Sequence, residues 1–171
     1  MVTDAVAQLK TFSPLHRSYI VAVLTEILQH YRDNLSGLAI FGSYARRENR
    51  KNSDLDLLII LQEAPRRRER LVEFIDEIEL KHEHLAQRLY DEEDILCELS
   101  PYILREAEAL RVQPIYFDLV SHHVVVSDPK GIVARIIASM WALLRDVGAH
   151  RVRRNNTWEW QTRRFLGGIK L

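Results

Sequence analysis

A single cysteine, Cys97, is all the thiol this chain has, so no internal disulfide can staple it. Stability has to come from an apolar core, and the expected location is a reducing cytoplasm. Cys97 sits among Ile95, Leu96 and Leu99, the surroundings of a buried thiol rather than of a nucleophile. Charge of one sign is lacking too. The 24 Lys and Arg balance 24 Asp and Glu, so no global field draws the chain to nucleic acid or membrane, and either partner would need a local patch. No apolar run is long enough to span a bilayer, and the first ten residues lack a signal-peptide pattern. Internal repeats and low-complexity segments are absent. What remains is 171 residues with 47% hydrophobic content, enough for one domain with a core of its own and a helical appendage.

The informative stretch is residues 38–61, LAIFGSYARRENRKNSDLDLLIIL. A short apolar run stops at Gly42-Ser43, a basic polar loop follows, and Asp54-Leu55-Asp56 leads into a second apolar run. Both runs read as buried strands. Strand side chains alternate, so Asp54 and Asp56 share one face at the start of the second strand. Two neighbouring carboxylates repel, and a hard divalent cation such as Mg²⁺ or Mn²⁺ between them relieves this. Gly42 allows close backbone approach, and Ser43 caps a short helical turn whose free N–H groups favour an anion. Arg46, Arg47 and Lys51 in the loop are placed to neutralise phosphate charge, or else form a solvated basic loop.

Gly42-Ser43, ten residues, then Asp54-x-Asp56 resembles the signature of the DNA polymerase β-like nucleotidyltransferase superfamily, and within it the minimal nucleotidyltransferase (MNT) type. Other homes for Asp-x-Asp fit less well. Haloacid dehalogenase-type phosphatases want Thr two residues past the second Asp, where Leu58 stands, and the glycosyltransferase motif leaves Gly42-Ser43 unexplained. The resemblance implies an α+β fold, a mixed sheet with flanking helices. It divides the chain into a nucleotidyltransferase domain at 1–127 and a C-terminal helix with a basic, aromatic tail at 128–171. It implies transfer of a nucleoside monophosphate from ATP or another triphosphate to an acceptor hydroxyl. Gly42, Ser43, Arg46, Arg47 and Lys51 would hold the nucleotide, and Asp54 and Asp56 the metal. Family members often carry Gly where this chain has Arg47.

The family also takes a third carboxylate from the strand after the long helix. Residues 94–99 read as that strand, which nominates Glu98, and Asp118 in PIYFDL is the competitor. Around these, Ser13-Pro14 opens an apolar-faced helix, and residues 71–89 carry one helical stripe. Residues 101–111 read as a helix, and 119–126 fit helix or strand. Ser127-Asp128-Pro129 starts a last helix to Val147, apolar over more than half its surface, which must be covered by the domain or by a second copy in a homodimer. The histidines at 82, 84, 122 and 123 are at poor spacings for a metal. The tail, with five arginines from Arg151 and Trp158 and Trp160, has the composition of a nucleic-acid platform and equally of a packed hairpin.

Three functions follow. One is adenylylation of a protein, as MNT antitoxins do to HEPN toxin partners. Another is nucleotidyl transfer to a small molecule or RNA, and the third is a catalytically silent nucleotide-binding module.

Overall fold

The computed structural model describes residues 1–154, 157–163, 165–166 and 169–171. A short helix, α1 (Val2–Ala7), precedes α2 (Pro14–Tyr31), where the Ser13 hydroxyl accepts the His16 N–H and Pro14 fills the first helical position. Strand β1 (Leu35–Ile40) follows, then a single helical turn, α3 (Gly42–Ala45), and β2 (Leu55–Leu61). Helix α4 (Arg67–Phe74) runs through a π turn (Ile75–Glu79) and a 3-10 turn (Leu80–His82) into α5 (Glu83–Glu93). Strand β3 (Leu99–Arg105) leads to the short helices α6 (Glu106–Ala109) and α7 (Tyr116–Leu119). Strand β4 (Val124–Ser127), helix α8 (Ile132–Asp146) and a hairpin of β5 (His150–Arg154) and β6 (Thr157–Gln161) complete the chain.

The main sheet has the order β3-β2-β1-β4, with β2 and β3 parallel and the other pairs antiparallel. Strand β2 is central and covered on both faces, which is why LDLLIIL is continuously apolar after its acid. Its Leu55, Leu57, Ile59 and Leu61 pack with α1, α2 and the α4–α5 segment, while Leu58 and Ile60 pack with α6, α7 and α8. The fold is the mixed sheet with flanking helices that the motif implies.

The expected strand at 94–99 lies later, at Leu99–Arg105, and the expected helix at 101–111 shrinks to Glu106–Ala109. Pro101 is the reason for the difference: a proline usually ends a strand, but β3 is an edge strand and needs no donor on its open side. Residues 119–126 hold the end of a helix and then a strand, so each alternative describes part of the segment. The stripe over 71–89 is not one straight α-helix, and Leu71 faces solvent at 46% exposure while Phe74, Ile78 and Leu89 are buried.

Helix α8 is where expected, with both Asp128 carboxylate oxygens accepting N–H groups of its first turn, from Val133 and Ala134, at 3.1 and 3.0 Å. Its apolar face is covered by this chain's own sheet and short helices, so its burial needs no second copy. The tail adopts the hairpin alternative. Trp160 stacks edge-on to Trp141 at 5.8 Å and donates its indole N–H to the Phe117 carbonyl at 2.8 Å. The side chains of Arg154 and Trp158, and Arg164, lie outside the described residues.

Candidate active site

The site forms where β1 ends and β2 begins. Gly42 takes φ of +68°, a conformation glycine adopts without steric cost. Adding a Cβ there would overlap the Asp56 Oδ2 atom and lie 2.9 Å from its Cγ. The backbone after β1 is therefore pressed against the second carboxylate of Asp-x-Asp. The Phe41 N–H donates to the Asp56 carbonyl at 3.1 Å and fixes this contact.

Beneath the turn, Tyr44 is fully buried in a polar chain. His16 Nδ1 accepts the Phe12 N–H at 3.3 Å, which leaves Nε2 to donate to the Tyr44 hydroxyl at 3.0 Å. That hydroxyl donates in turn to Cys97 Sγ at 3.2 Å. Burial holds the imidazole below its ordinary pKa, consistent with a neutral ring, and pushes the Cys97 thiol up to about 12. Cys97 is thus structural, as its neighbours in sequence implied. It anchors Ser43-Tyr44 rather than reacting.

Asp56 is half-buried and Asp54 exposed. Burial, above all, lifts the Asp56 carboxyl above its usual range, and the negative charges of Asp54 and Asp118 add to this. A hydrogen bond from Ser100, its register partner on β3, and the positive charge of Arg46 act against the rise. A divalent cation between Asp54 and Asp56 would remove the repulsion, so the donor set fits a hard metal ion with triphosphate oxygens and water as the remaining ligands. Among the described residues, no three His, Cys, Asp or Glu side chains form a metal-binding group by themselves.

The expected site residues divide into two groups. Gly42, Ser43, Arg46, Asp54 and Asp56 come together. Arg46 is clamped between Asp118 at 2.6 Å and Glu48 at 3.1 Å. Asp118, the competitor for the third carboxylate, thus reaches the site from the short helix α7. Glu98 is exposed just before β3; its carbonyl accepts the Leu55 N–H at 2.8 Å, and its charge is felt at Glu79. Lys51 points elsewhere, donating to the Glu93 carbonyl at the end of α5 at 2.6 Å. Ser100 carries no signal in the sequence, where the strand reads as ending at residue 99; only the register of β2 with β3 reveals it.

Arg47 is exposed and holds φ of +60°, the left-handed conformation that a glycine would occupy without strain. The turn therefore keeps its geometry despite the arginine. A left-handed L-residue costs roughly 1–2 kcal/mol, partly offset by the extra unfolded-state entropy of glycine. Arg47→Gly is expected to raise stability by up to about 1 kcal/mol. A lower midpoint in urea denaturation would instead assign the Arg47 side chain a stabilising contact.

A family model described as a nucleotidyltransferase domain matches residues 20–116, which span β1, the Gly42 turn, Asp54-x-Asp56 and β3. No curated protein matches the chain significantly. Among solved structures, a toxin–antitoxin with AMP-PNP is similar at 15% identity and a TM-score of 0.42, over 74% of this chain and 90% of that one. A tri-AMPylated Shewanella oneidensis HEPN toxin in complex with MNT antitoxin gives 15% identity and 0.37, over 73% and 87%. Spectinomycin adenyltransferase from Enterococcus faecialis, with ATP and spectinomycin, gives 15% and 0.45 over 72% of this chain and 65% of that chain.

Proposed function

The chain belongs to the nucleotidyltransferase domain family, and from that premise we propose that it transfers AMP from ATP to an acceptor hydroxyl in a Mg²⁺-dependent reaction. The observation that carries this reading is the contact between Gly42 and Asp56, which sets a phosphate-binding turn against a carboxylate pair. Asp54 and Asp56 would hold the metal, whose contribution is to neutralise triphosphate charge and polarise the α-phosphate. The Ser43 hydroxyl and the N–H groups of the Gly42 turn bind the β- and γ-phosphates. The acceptor oxygen forms a bond to the α-phosphorus, the bond to the bridging oxygen breaks, pyrophosphate leaves, and the acceptor proton passes to a carboxylate.

We assign the third carboxylate to Asp118 rather than Glu98, because its charge bears on Asp56 and its partner Arg46 faces the same site. Asp118→Asn is expected to lower kcat on the order of 10²-fold, as loss of a general base or of the group orienting a phosphate ligand does. Glu98→Gln is expected to stay near wild type. Steady-state kinetics on the two variants check this, and the reverse order would return the role to Glu98.

Residues 1–127 form the catalytic unit in this reading, with 128–171 as its buttress. The resemblance of residues 38–61 to MNT proteins supports a protein acceptor of HEPN type, in the cytoplasm; no described helix is long and apolar enough to cross a membrane. The test is incubation of purified protein with Mg²⁺ and each labelled triphosphate, beside an Asp54→Ala/Asp56→Ala control. Label moving to protein, RNA or a small molecule, and lost in the control, identifies the acceptor class. Silence with every triphosphate, together with no metal-dependent nucleotide binding, leaves a silent module.

A further inference from the structure

Helix α4 and the outer edge of β3 enclose a cleft of 480 Å³ lined by Arg67, Arg68, Leu71, Pro101, Tyr102 and Ile103. This lies within the roughly 300–1,000 Å³ of sites that hold organic groups. Leu71 in its lining is open to solvent at 46% exposure, and Val72, the next residue of α4, at 49%. Leu71, Pro101, Tyr102 and Ile103 thus give the cleft an apolar floor beside two arginines. Arg67 lies with its guanidinium 5.5 Å from the centre of the Tyr102 ring. Among the described residues neither Arg67 nor Arg68 has an ion-pair partner, whereas Arg70 and Arg105 nearby both pair with Glu108.

We propose that this cleft docks an acidic peptide segment of a partner protein, with a large apolar side chain seated between Leu71 and Tyr102 and its carboxylates on Arg67 and Arg68. Charge complementarity selects the sign of the partner, and the aliphatic floor selects its apolar anchor. Strand addition to β3 is blocked, because Pro101 has no N–H to offer and the Ile103 carbonyl already accepts from Arg70 at 3.1 Å. The partner therefore binds through side chains. Single-stranded nucleic acid suits the cleft less well, since Tyr102 is the one aromatic platform in a lining of Leu, Pro and Ile. Tyr102 stands two residues beyond Ser100, the register partner of Asp56, or about 7 Å along the strand. A protein docked here comes within reach of the carboxylate end of the sheet.

The probe is a fluorescein-labelled nonapeptide with one Phe between runs of Asp and Glu, followed by anisotropy on the full chain. Binding needs no turnover, so the result stands or falls apart from the transferase reading. Saturable binding that weakens with added NaCl is expected. Arg67→Glu/Arg68→Glu and Leu71→Asp should each weaken it on the order of tenfold or more, equivalent to about 1.4 kcal/mol, while Arg88→Glu on α5 should leave it unchanged. The altered residues are exposed, and unchanged melting curves together with the milder Arg68→Gln separate lost binding from lost folding. Equal binding when Phe is replaced by Ser, or no saturation in the millimolar range, would overturn the proposal. So would a single-stranded oligonucleotide that binds more tightly and responds to the same substitutions, since the cleft would then be a nucleic-acid site.

Discussion

Asp56→Asn is expected to abolish nucleotidyl transfer while making the metal-free protein more stable. The loss follows from the metal's contribution of several kcal/mol to charge stabilisation, which at about 1.4 kcal/mol per decade is on the order of 10³-fold in kcat/KM. The gain follows from the direction of the Asp56 shift. Burial first, then Asp54 and Asp118, raise its carboxyl above the unfolded value, so the folded protein binds the proton more tightly than the unfolded chain does. That contribution to stability is present at low pH and is lost as pH rises through the raised pKa. At neutral pH the ionised Asp56 therefore opposes folding, and the neutral amide removes the penalty. Thermal melts from pH 3 to 8 without metal should place the variant above wild type at neutral pH, with the gap closing in acid. Adding Mg²⁺ and ATP should raise the wild-type midpoint and leave the variant's nearly unmoved, because only the wild type gains a bound ion. A variant less stable than wild type at neutral pH would show that Asp56 is held by favourable contacts, and the case for a cation between the carboxylates would fail.

Arg70→Ala is expected to cost the fold about 3 kcal/mol, the low end for breaking a buried ion pair from one side, because Glu108 is partly exposed and keeps its bonds to Arg105. Arg70 is only 3% exposed. Its guanidinium donates to the Pro65 carbonyl at 2.7 Å, to the Ile103 carbonyl at 3.1 Å and to both Glu108 oxygens at 2.6 and 3.1 Å. One side chain thereby ties the start of α4 to the exit of β3 and the first turn of α6. The Arg70 hydrogen bond draws the Glu108 carboxyl down to about 2 from an ordinary 4.5. Since the folded pKa is depressed, this stabilisation is present above the ordinary value and is lost as pH falls from about 4.5 toward about 2. Urea denaturation should show the loss at pH 7, and the variant should keep only the smaller part of this acid transition that the Arg105 hydrogen bonds to Glu108 supply. The double change Arg70→Met/Glu108→Leu should recover part of the stability, because it removes both charges, while the Glu108 cap on the Arg105 N–H is lost with them. If the single and double variants were equally unstable, the residue would matter through packing alone.

Arg70 also shows what periodicity misses. In the sequence it is the fourth basic residue of a run beginning at Arg66, in a helix whose charges nearly balance. That pattern reads as a solvated face, and Arg66, Arg67 and Arg68 are indeed exposed. Arg70 differs because β3 passes beside it, a fact of chain crossing and not of local pattern. The same crossing brings Ser100 beside Asp56 and lets an edge strand contain Pro101.

Several decisive features were local, and the sequence determined them by itself. Gly42-Ser43 had to be a tight turn between apolar runs, and Asp54 and Asp56 had to share a face because strand alternation leaves no other choice. The buried character of Cys97 and the Ser13-Pro14 helix start depend on near neighbours and were equally legible. The tertiary structure alone decided which distant groups meet that local motif: His16 under Tyr44, Arg46 on Asp118, Lys51 at the end of α5 and Glu98 toward Glu79. Side-chain alternation and caps are set by residues one to four positions apart, so they are written in the chain. Which carboxylate lies near Asp56 depends on how helices pack across a sheet 60 residues away, and that is settled by the burial of the whole core.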